Sequence, residues 1–114
     1  MEIIQEERAN ALIIRPHCTR LDLNEVSSFK ELSKKLLETN HQKKVILDLA
    51  DIAFMDSSGF GSLITINKWI KQKNKSLILT GFSPQIDSMF QILNLDKLFA
   101  ITNTIEEALE IESL

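Results

Sequence analysis

Two five-residue runs, Val45-Ile46-Leu47-Asp48-Leu49 and Ser76-Leu77-Ile78-Leu79-Thr80, do most to limit how this chain can fold. Neither alternates between apolar and polar, as a strand with one wet face would. A short run that is apolar nearly throughout fits a strand covered on both faces, the situation of a parallel sheet between layers of helix.

The intervening segments supply the helices. Residues 25–38 place Val26, Phe29, Leu32 or Ser33, and Leu36 on one face. Asn24 can cap the first turn, and Lys34 and Lys35 stand in the second half, where cations complement the helix dipole. Residues 58–72 form a second helix. Gly81-Phe82-Ser83-Pro84 opens a third, with Ser83 at the N-cap and Pro84 at the first helical position. Ile86, Met89, Phe90 and Leu93 then recur at helical spacing, and Asn94 is the stop. Leu98 to Ile101 reads as a short strand. Thr104-Ile105-Glu106-Glu107 is a capping box for a last helix bearing Ile105, Ala108 and Leu109. Near the N-terminus, apolar runs at residues 2–6 and 11–15 flank polar Glu7-Arg8-Ala9-Asn10, which reads as an antiparallel hairpin.

Strand and helix alternate from residue 24 onward. The expected fold class is therefore α/β, as one domain over residues 1–114. It should hold a mostly parallel sheet of about five strands, an antiparallel first strand and about four helices. Hydrophobic residues at 44% and charged residues at 25% suit one ordered core. A net charge of -3 and a pI near 5.4 argue against a nucleic-acid surface. Lys43, Lys44, Lys68, Lys71, Lys73 and Lys75 read as solvated ends of elements. Cys18 is the single cysteine, which fits a small buried hydrophobe in a reducing compartment. No basic leader followed by an apolar stretch opens the chain, and no apolar run approaches membrane-spanning length. The expectation is a soluble cytoplasmic protein without membrane insertion.

The chemistry gathers at Phe54-Met55-Asp56-Ser57-Ser58-Gly59, where a strand region turns into a helix. Such turns expose the first backbone N–H groups of the helix, and Asp56 or Ser57 can cap one of them. Gly59 and Gly61 keep the first turn bare. A phosphate on Ser57 would meet free N–H groups and the positive end of the dipole. The residues alone leave two readings open, a well-capped helix start or a regulated serine. Along the helix, Phe60, Leu63, Ile64, Asn67 and Ile70 should face the core, with Ser62, Thr65 and Trp69 roughly opposite and Ile66 flanking. Trp69 is then either a partner contact or a ring packed under a loop.

An enzyme finds little support. Met55 stands where a nucleophile elbow carries its first glycine. His17 has no evident orienting partner, and His41 precedes a central strand at the far end of the sheet. No phosphate-binding glycine loop and no Cys/His metal spacing occur. No catalytic residue, metal or cofactor is expected.

Beyond these local signals, Leu47-Asp48-Leu49 with Ile52-Ala53-Phe54-Met55-Asp56-Ser57-Ser58-Gly59-Phe60-Gly61 resembles the signature of the STAS domain, the anti-sigma factor antagonist family. Gly81-Phe82-Ser83-Pro84-Gln85-Ile86, Leu93-Asn94-Leu95-Asp96-Lys97-Leu98-Phe99 and Thr104-Ile105-Glu106-Glu107-Ala108-Leu109 resemble later blocks of that family, in the same order. The resemblance implies a bacterial partner-switching protein. The unphosphorylated antagonist binds an anti-sigma factor that is also a serine kinase, which frees the sigma factor. Phosphorylation of the serine after the motif aspartate, here Ser57, releases the antagonist, and a PP2C-type phosphatase resets it. Asp56, Ser58, Gly59, Gly61 and Ser62 belong to this expected partner site. Leu21-Asp22 matches a family position before the first helix, which implies Asp22 as a kinase contact. The stretch before it, Pro16-His17-Cys18-Thr19-Arg20, lacks the glycine family members often carry, so that loop has its own shape. The alternative within the family is an adaptor or scaffold of a transport or stress-signalling complex that is never phosphorylated.

Overall fold

The computed structural model describes residues 1–111. Chain order gives β1 (Glu2–Arg8), β2 (Ala11–His17), β3 (Arg20–Leu21), α1 (Val26–Thr39), β4 (Lys44–Asp48), β5 (Phe54–Met55), α2 (Ser57–Gln72), β6 (Ser76–Thr80), α3 (Pro84–Ile92), β7 (Ala100–Thr102) and α4 (Ile105–Glu110), with a 3-10 turn at Leu95–Lys97 before β7. The main sheet runs β1-β2-β4-β6-β7. β1 pairs β2 antiparallel, and every other neighbour is parallel. The α/β class and the antiparallel first strand are as the sequence implies.

Period-2 geometry divides each strand between two cores. One face of the sheet turns Leu12, Ile14, Val45, Leu47, Leu77 and Leu79 toward Phe29, Leu37, Phe60, Leu63, Ile70 and Phe90 of α1, α2 and α3. The other turns Ala11, Ile13, Ile46 and Ile78 toward Ala108 of α4. All five residues of β4 are buried, which explains a run without alternation.

Several local expectations give way to tertiary packing. Asn24 does not cap α1. Glu25 holds the cap position without a side-chain bond, and the Asp22 carbonyl accepts from the N–H groups of Glu25 and Val26. Ser33 and Leu37 enter the core of α1, while Leu32 and Leu36 stay half-buried at its side. Lys34 and Lys35 lie short of its last turn. On α3, Ile86 and Phe90 are buried but Met89 and Leu93 are exposed. The last strand begins at Ala100 rather than Leu98, because the 3-10 turn takes up the chain after Asn94. Asn94 does end α3 in the left-handed conformation, with φ 58°. Cys18 is half-buried rather than buried, and burial, then Glu25, pushes its thiol pKa up.

Lys44 overturns its reading as a solvated end. It is 1% exposed, and its Nζ donates to the carbonyls of Ala108 at 3.2 Å and Leu109 at 2.9 Å. Both carbonyls belong to the last turn of α4, at the negative end of its dipole, and the Ala108 carbonyl also accepts from the Ile111 N–H at 3.3 Å. Lys75 is half-buried and donates to the Asn40 carbonyl at 2.6 Å. Burial, then Lys43 and Lys73, pulls its pKa down. We expect Lys44→Met to keep the aliphatic volume, remove the charged donor from the Ala108 and Leu109 carbonyls and cost about 1–3 kcal/mol. Urea unfolding monitored by circular dichroism measures the loss, and an unchanged midpoint would show that this contact does not hold α4.

Candidate functional site

The site is built where the short pair β3/β5 meets the start of α2. Arg20 lies in register with Phe54 and Leu21 with Met55, in parallel. The Thr19 carbonyl accepts from the N–H groups of Ala53 at 2.7 Å and Phe54 at 3.2 Å. The strand region expected before the helix is thus β5, only two residues long, and its partner β3 carries no period in the sequence.

Asp56 is the N-cap of α2, in extended backbone with φ -94° and ψ -175°. Its Oδ1 accepts from Ser58 Oγ at 2.6 Å and from the Gly59 N–H at 2.9 Å. Its Oδ2 accepts from the Leu23 N–H at 3.1 Å, across 33 residues of chain. Hydrogen bonds from Ser58 first, then Gly59, hold its carboxyl below the ordinary carboxylate pKa. The choice between Asp56 and Ser57 as cap thus falls to Asp56.

Three serines follow in three different states. Ser57 is exposed, and its hydroxyl enters no hydrogen bond among the described residues. Ser58 is half-buried and spends its hydroxyl on Asp56. Ser62 is 2% exposed and donates to the Gly59 carbonyl at 2.6 Å, so it presents nothing to a partner's surface. That corrects its placement on the outer face.

The two glycines differ as well. A Cβ on Gly59 would overlap the Leu21 carbonyl oxygen and Met55 Cγ, whereas one on Gly61 meets nothing within 4 Å. Gly59 is therefore what lets α2 begin against β3, and Gly61 is the position that keeps the helix surface bare. The outward line of α2 is Ser57, Gly61, Ile64 and Lys68, at helical spacing. Ile64 is 39% exposed rather than in the core, and Ile66 is 3% exposed and takes its place.

Asp22 stands close by. Its Oδ1 accepts from the Asn24 N–H at 3.1 Å, and its Oδ2 lies 3.4 Å from Arg20 Nε. The Arg20 guanidinium sits 4.1 Å above the Phe54 ring. Leu23 is 74% exposed and Phe54 41% exposed, so the polar turn is flanked by bare apolar side chains. Arg20, Leu23 and Phe54 were not singled out in the sequence, where only their closeness to Asp22 and Asp56 hinted at them. Trp69 lies apart, about 18 Å along α2 from Ser57 at 1.5 Å per residue. It is half-buried, packs against the core, carries Lys34 Nζ 5.6 Å over its ring and lines a groove with Lys34, Leu37 and Glu38 of α1.

His17 does have a partner. Its Nδ1 lies 3.0 Å from Asp51 Oδ2, which Arg15 Nε also approaches at 3.4 Å. No hydrogen bond joins His17 to Ser57 among the described residues, so no serine–histidine arrangement forms. His41 is exposed before β4, at the opposite end of the sheet.

A fold with helices over a mixed sheet and a capped serine turn after β5 defines a class. The family model described as the STAS domain matches residues 2–108, and the chain belongs to that family. An anti-sigma-B factor antagonist of Listeria monocytogenes is 32% identical over 73 residues, covering 61% of this chain and 64% of that protein. The match thus spans less than two thirds of the Listeria protein. Among solved structures, an anti-sigma-factor antagonist STAS domain protein from Planctomyces limnophilus is similar at a TM-score of 0.83 and 26% identity, covering 94% of each chain. The Bacillus cell fate determinant SpoIIAA in its phosphorylated form is similar at a TM-score of 0.68 and 23% identity, covering 96% of this chain and 97% of that one, which bears on fold alone. No helix among the described residues is long and apolar enough to cross a membrane.

Two outcomes follow from the turn. Gly59→Ala should cost about 3 kcal/mol, the upper range for forcing an atom into packed structure, while Gly61→Ala should stabilise by about 0.5–1 kcal/mol through helix propensity. Thermal unfolding of the pair distinguishes an internal from an external glycine. Asp56→Ala should lower the melting temperature by a few degrees at neutral pH. Because the folded pKa of Asp56 is depressed, its stabilisation is present above the ordinary carboxylate value and fades as pH falls through the folded one. The gap between wild type and variant should therefore close in acid. A gap that is constant from neutral to acid pH would show that the charge of Asp56 is not what caps α2.

Proposed function

We propose that this protein is an anti-sigma factor antagonist that works as a phosphorylation-controlled switch in the bacterial cytoplasm. In its unphosphorylated form it binds an anti-sigma factor that is also a serine kinase, through the surface around Ser57, with Asp22, Asp56, Ser58 and Gly61 shaping that surface. Transfer of a phosphoryl group from ATP to Ser57 releases it, and a PP2C-type phosphatase restores it. The observation that carries this reading is the free hydroxyl of Ser57, exposed on the first turn of α2, beside a Ser58 hydroxyl held by Asp56 and a buried Ser62. The names of the relatives support the class of partner.

The local electrostatics support the direction of the switch. Asp56 already occupies the anion position at the α2 N-terminus, so a phosphate finds the Ser57 N–H and little else free. Phosphorylation adds about -1.5 to -2 charges at neutral pH. Set beside the Asp56 carboxylate on an exposed turn, that charge is tolerated by water but not by a partner surface closing over it. The fold should survive and the complex should not.

The test uses the purified protein, ATP and the kinase-like anti-sigma factor encoded nearest to it. Mass spectrometry should find one phosphoryl group on Ser57, none in Ser57→Ala, and one still present in Ser58→Ala. Ser57→Asp should keep the far-ultraviolet circular dichroism spectrum and weaken binding. Modification at Ser58 would move the switch to the wrong serine, and a tight complex with no phosphorylation would favour an adaptor of the same family.

A further inference from the structure

The edge of the sheet farthest from α2 carries a second surface. β1 is an outer strand of seven residues, paired to β2 in unbroken register from Glu2 to Arg8. It has no proline and no bulge, and most of its residues are exposed. Beside it, Met1, Ile3, Leu32 and Leu36 line a mainly apolar groove of about 420 Å³ between β1 and α1. Leu32 and Leu36 belong to the apolar stripe of α1, yet the core accepts Ser33 and Leu37 instead, so these two stay half-buried, with Leu36 at the margin of the core and both lining the groove. A long regular edge next to an apolar groove is a template for strand addition, and the charges of Glu2, Glu6, Glu7 and Arg8 restrict which strand can pair with it.

We propose that the occupant is a second copy of this chain, joined β1 to β1 in antiparallel register about Gln5. The charge pattern of Glu2-Ile3-Ile4-Gln5-Glu6-Glu7-Arg8 selects this register. Centred on Gln5, each Glu2 faces the Arg8 of the other copy, Ile3 faces Glu7 and Ile4 faces Glu6. No like charges stand directly opposite. A two-fold axis normal to the sheet opposes only residues on the same face, so the centre can move only by whole residues, and one residue toward the N-terminus sets Glu2 against Glu6. Moving it one residue the other way sets Glu6 against itself. Opposite charges directly across a strand pair stabilise it and like charges oppose it, so the sequence is self-complementary in one alignment. Arg8 meets Glu106 at 3.0 Å, an exposed pair that leaves donors of the guanidinium fork available. The two-fold axis of such a pairing brings the two α1 helices to the same face of one continuous sheet. Each Leu32–Leu36 edge is then covered across the axis, and the interface is isologous and closed.

Sedimentation equilibrium on the full chain at low salt tests this. Wild type should dimerise in the micromolar range. Glu2→Arg should weaken the dimer about tenfold, as two exposed ion pairs become two repulsions. The double variant Glu2→Arg with Arg8→Glu should restore it, which a purely structural role of either residue cannot produce. Leu36→Glu should also weaken it, and circular dichroism confirms that each variant folds. Ser57→Ala should leave dimerisation unchanged, so this outcome is separate from the partner switch. A wild type that stays monomeric to the highest soluble concentration would overturn the proposal. A dimer insensitive to Glu2→Arg, or one the double variant fails to restore, would also overturn it.

Discussion

The grip of one carboxylate organises the functional end of this molecule. Asp56 accepts from Ser58 and Gly59 on its own helix and from Leu23 on the segment before α1. β3 and β5 have two residues each and could not stand as a pair in isolation. The bond to Leu23 closes the corner, and Gly59 lets the helix come near enough for that bond to form. Cap, corner and candidate switch surface are thus one arrangement. Ser57 is singled out by what Asp56 leaves alone, because the carboxylate consumes the hydroxyl of its neighbour.

The same arrangement explains why the site does not look like an active site. A nucleophilic serine needs a base within hydrogen-bond reach, itself oriented by a third group. Here the group nearest the serines is an acceptor already filled by three donors, with its pKa pushed down rather than toward neutrality. His17 and Asp51 form an oriented pair, but it serves Arg15 at the surface and has no hydrogen bond to Ser57 among the described residues. A free hydroxyl on an exposed turn flanked by Leu23 and Phe54 is what the proposed switch requires.

Much of this was legible in the sequence, for physical reasons that can be named. β4 and β6 were readable because a strand buried on both faces has no other composition. The N-cap of α3 and the capping box of α4 are readable because their bonds span three residues, and both form as expected. What failed depended on distant partners. Lys44 looks like a surface lysine until α4, more than sixty residues on, presents its carbonyls. Asn24 has the right side chain for a cap, but the Asp22 carbonyl reaches those donors first. The face of α2 was misjudged by a fraction of a turn, enough to exchange Ser62 and Ile66 with Ile64. Helical phase fixes which residues share a face, and the direction of that face comes from the packing against β6 and α1.

Placement in the sheet decides how the two surfaces of the molecule can coexist. The order β1-β2-β4-β6-β7 puts β1 at an outer edge, with β2 and β4 between it and the strand on which α2 packs. Ser57 points outward from the first turn of α2, and the β1 edge points away in the plane of the sheet. Joining two copies through β1 would therefore leave both Ser57 surfaces open, and α1 would carry both consequences. Its Leu37 edge meets α2 beside Trp69, and its Leu32–Leu36 edge meets β1. A helix whose apolar stripe is broader than one core can bury links two interfaces mechanically without either covering the other. For a partner that is itself paired, two Ser57 surfaces on one particle would raise the effective concentration of the second contact without any new chemistry at Ser57.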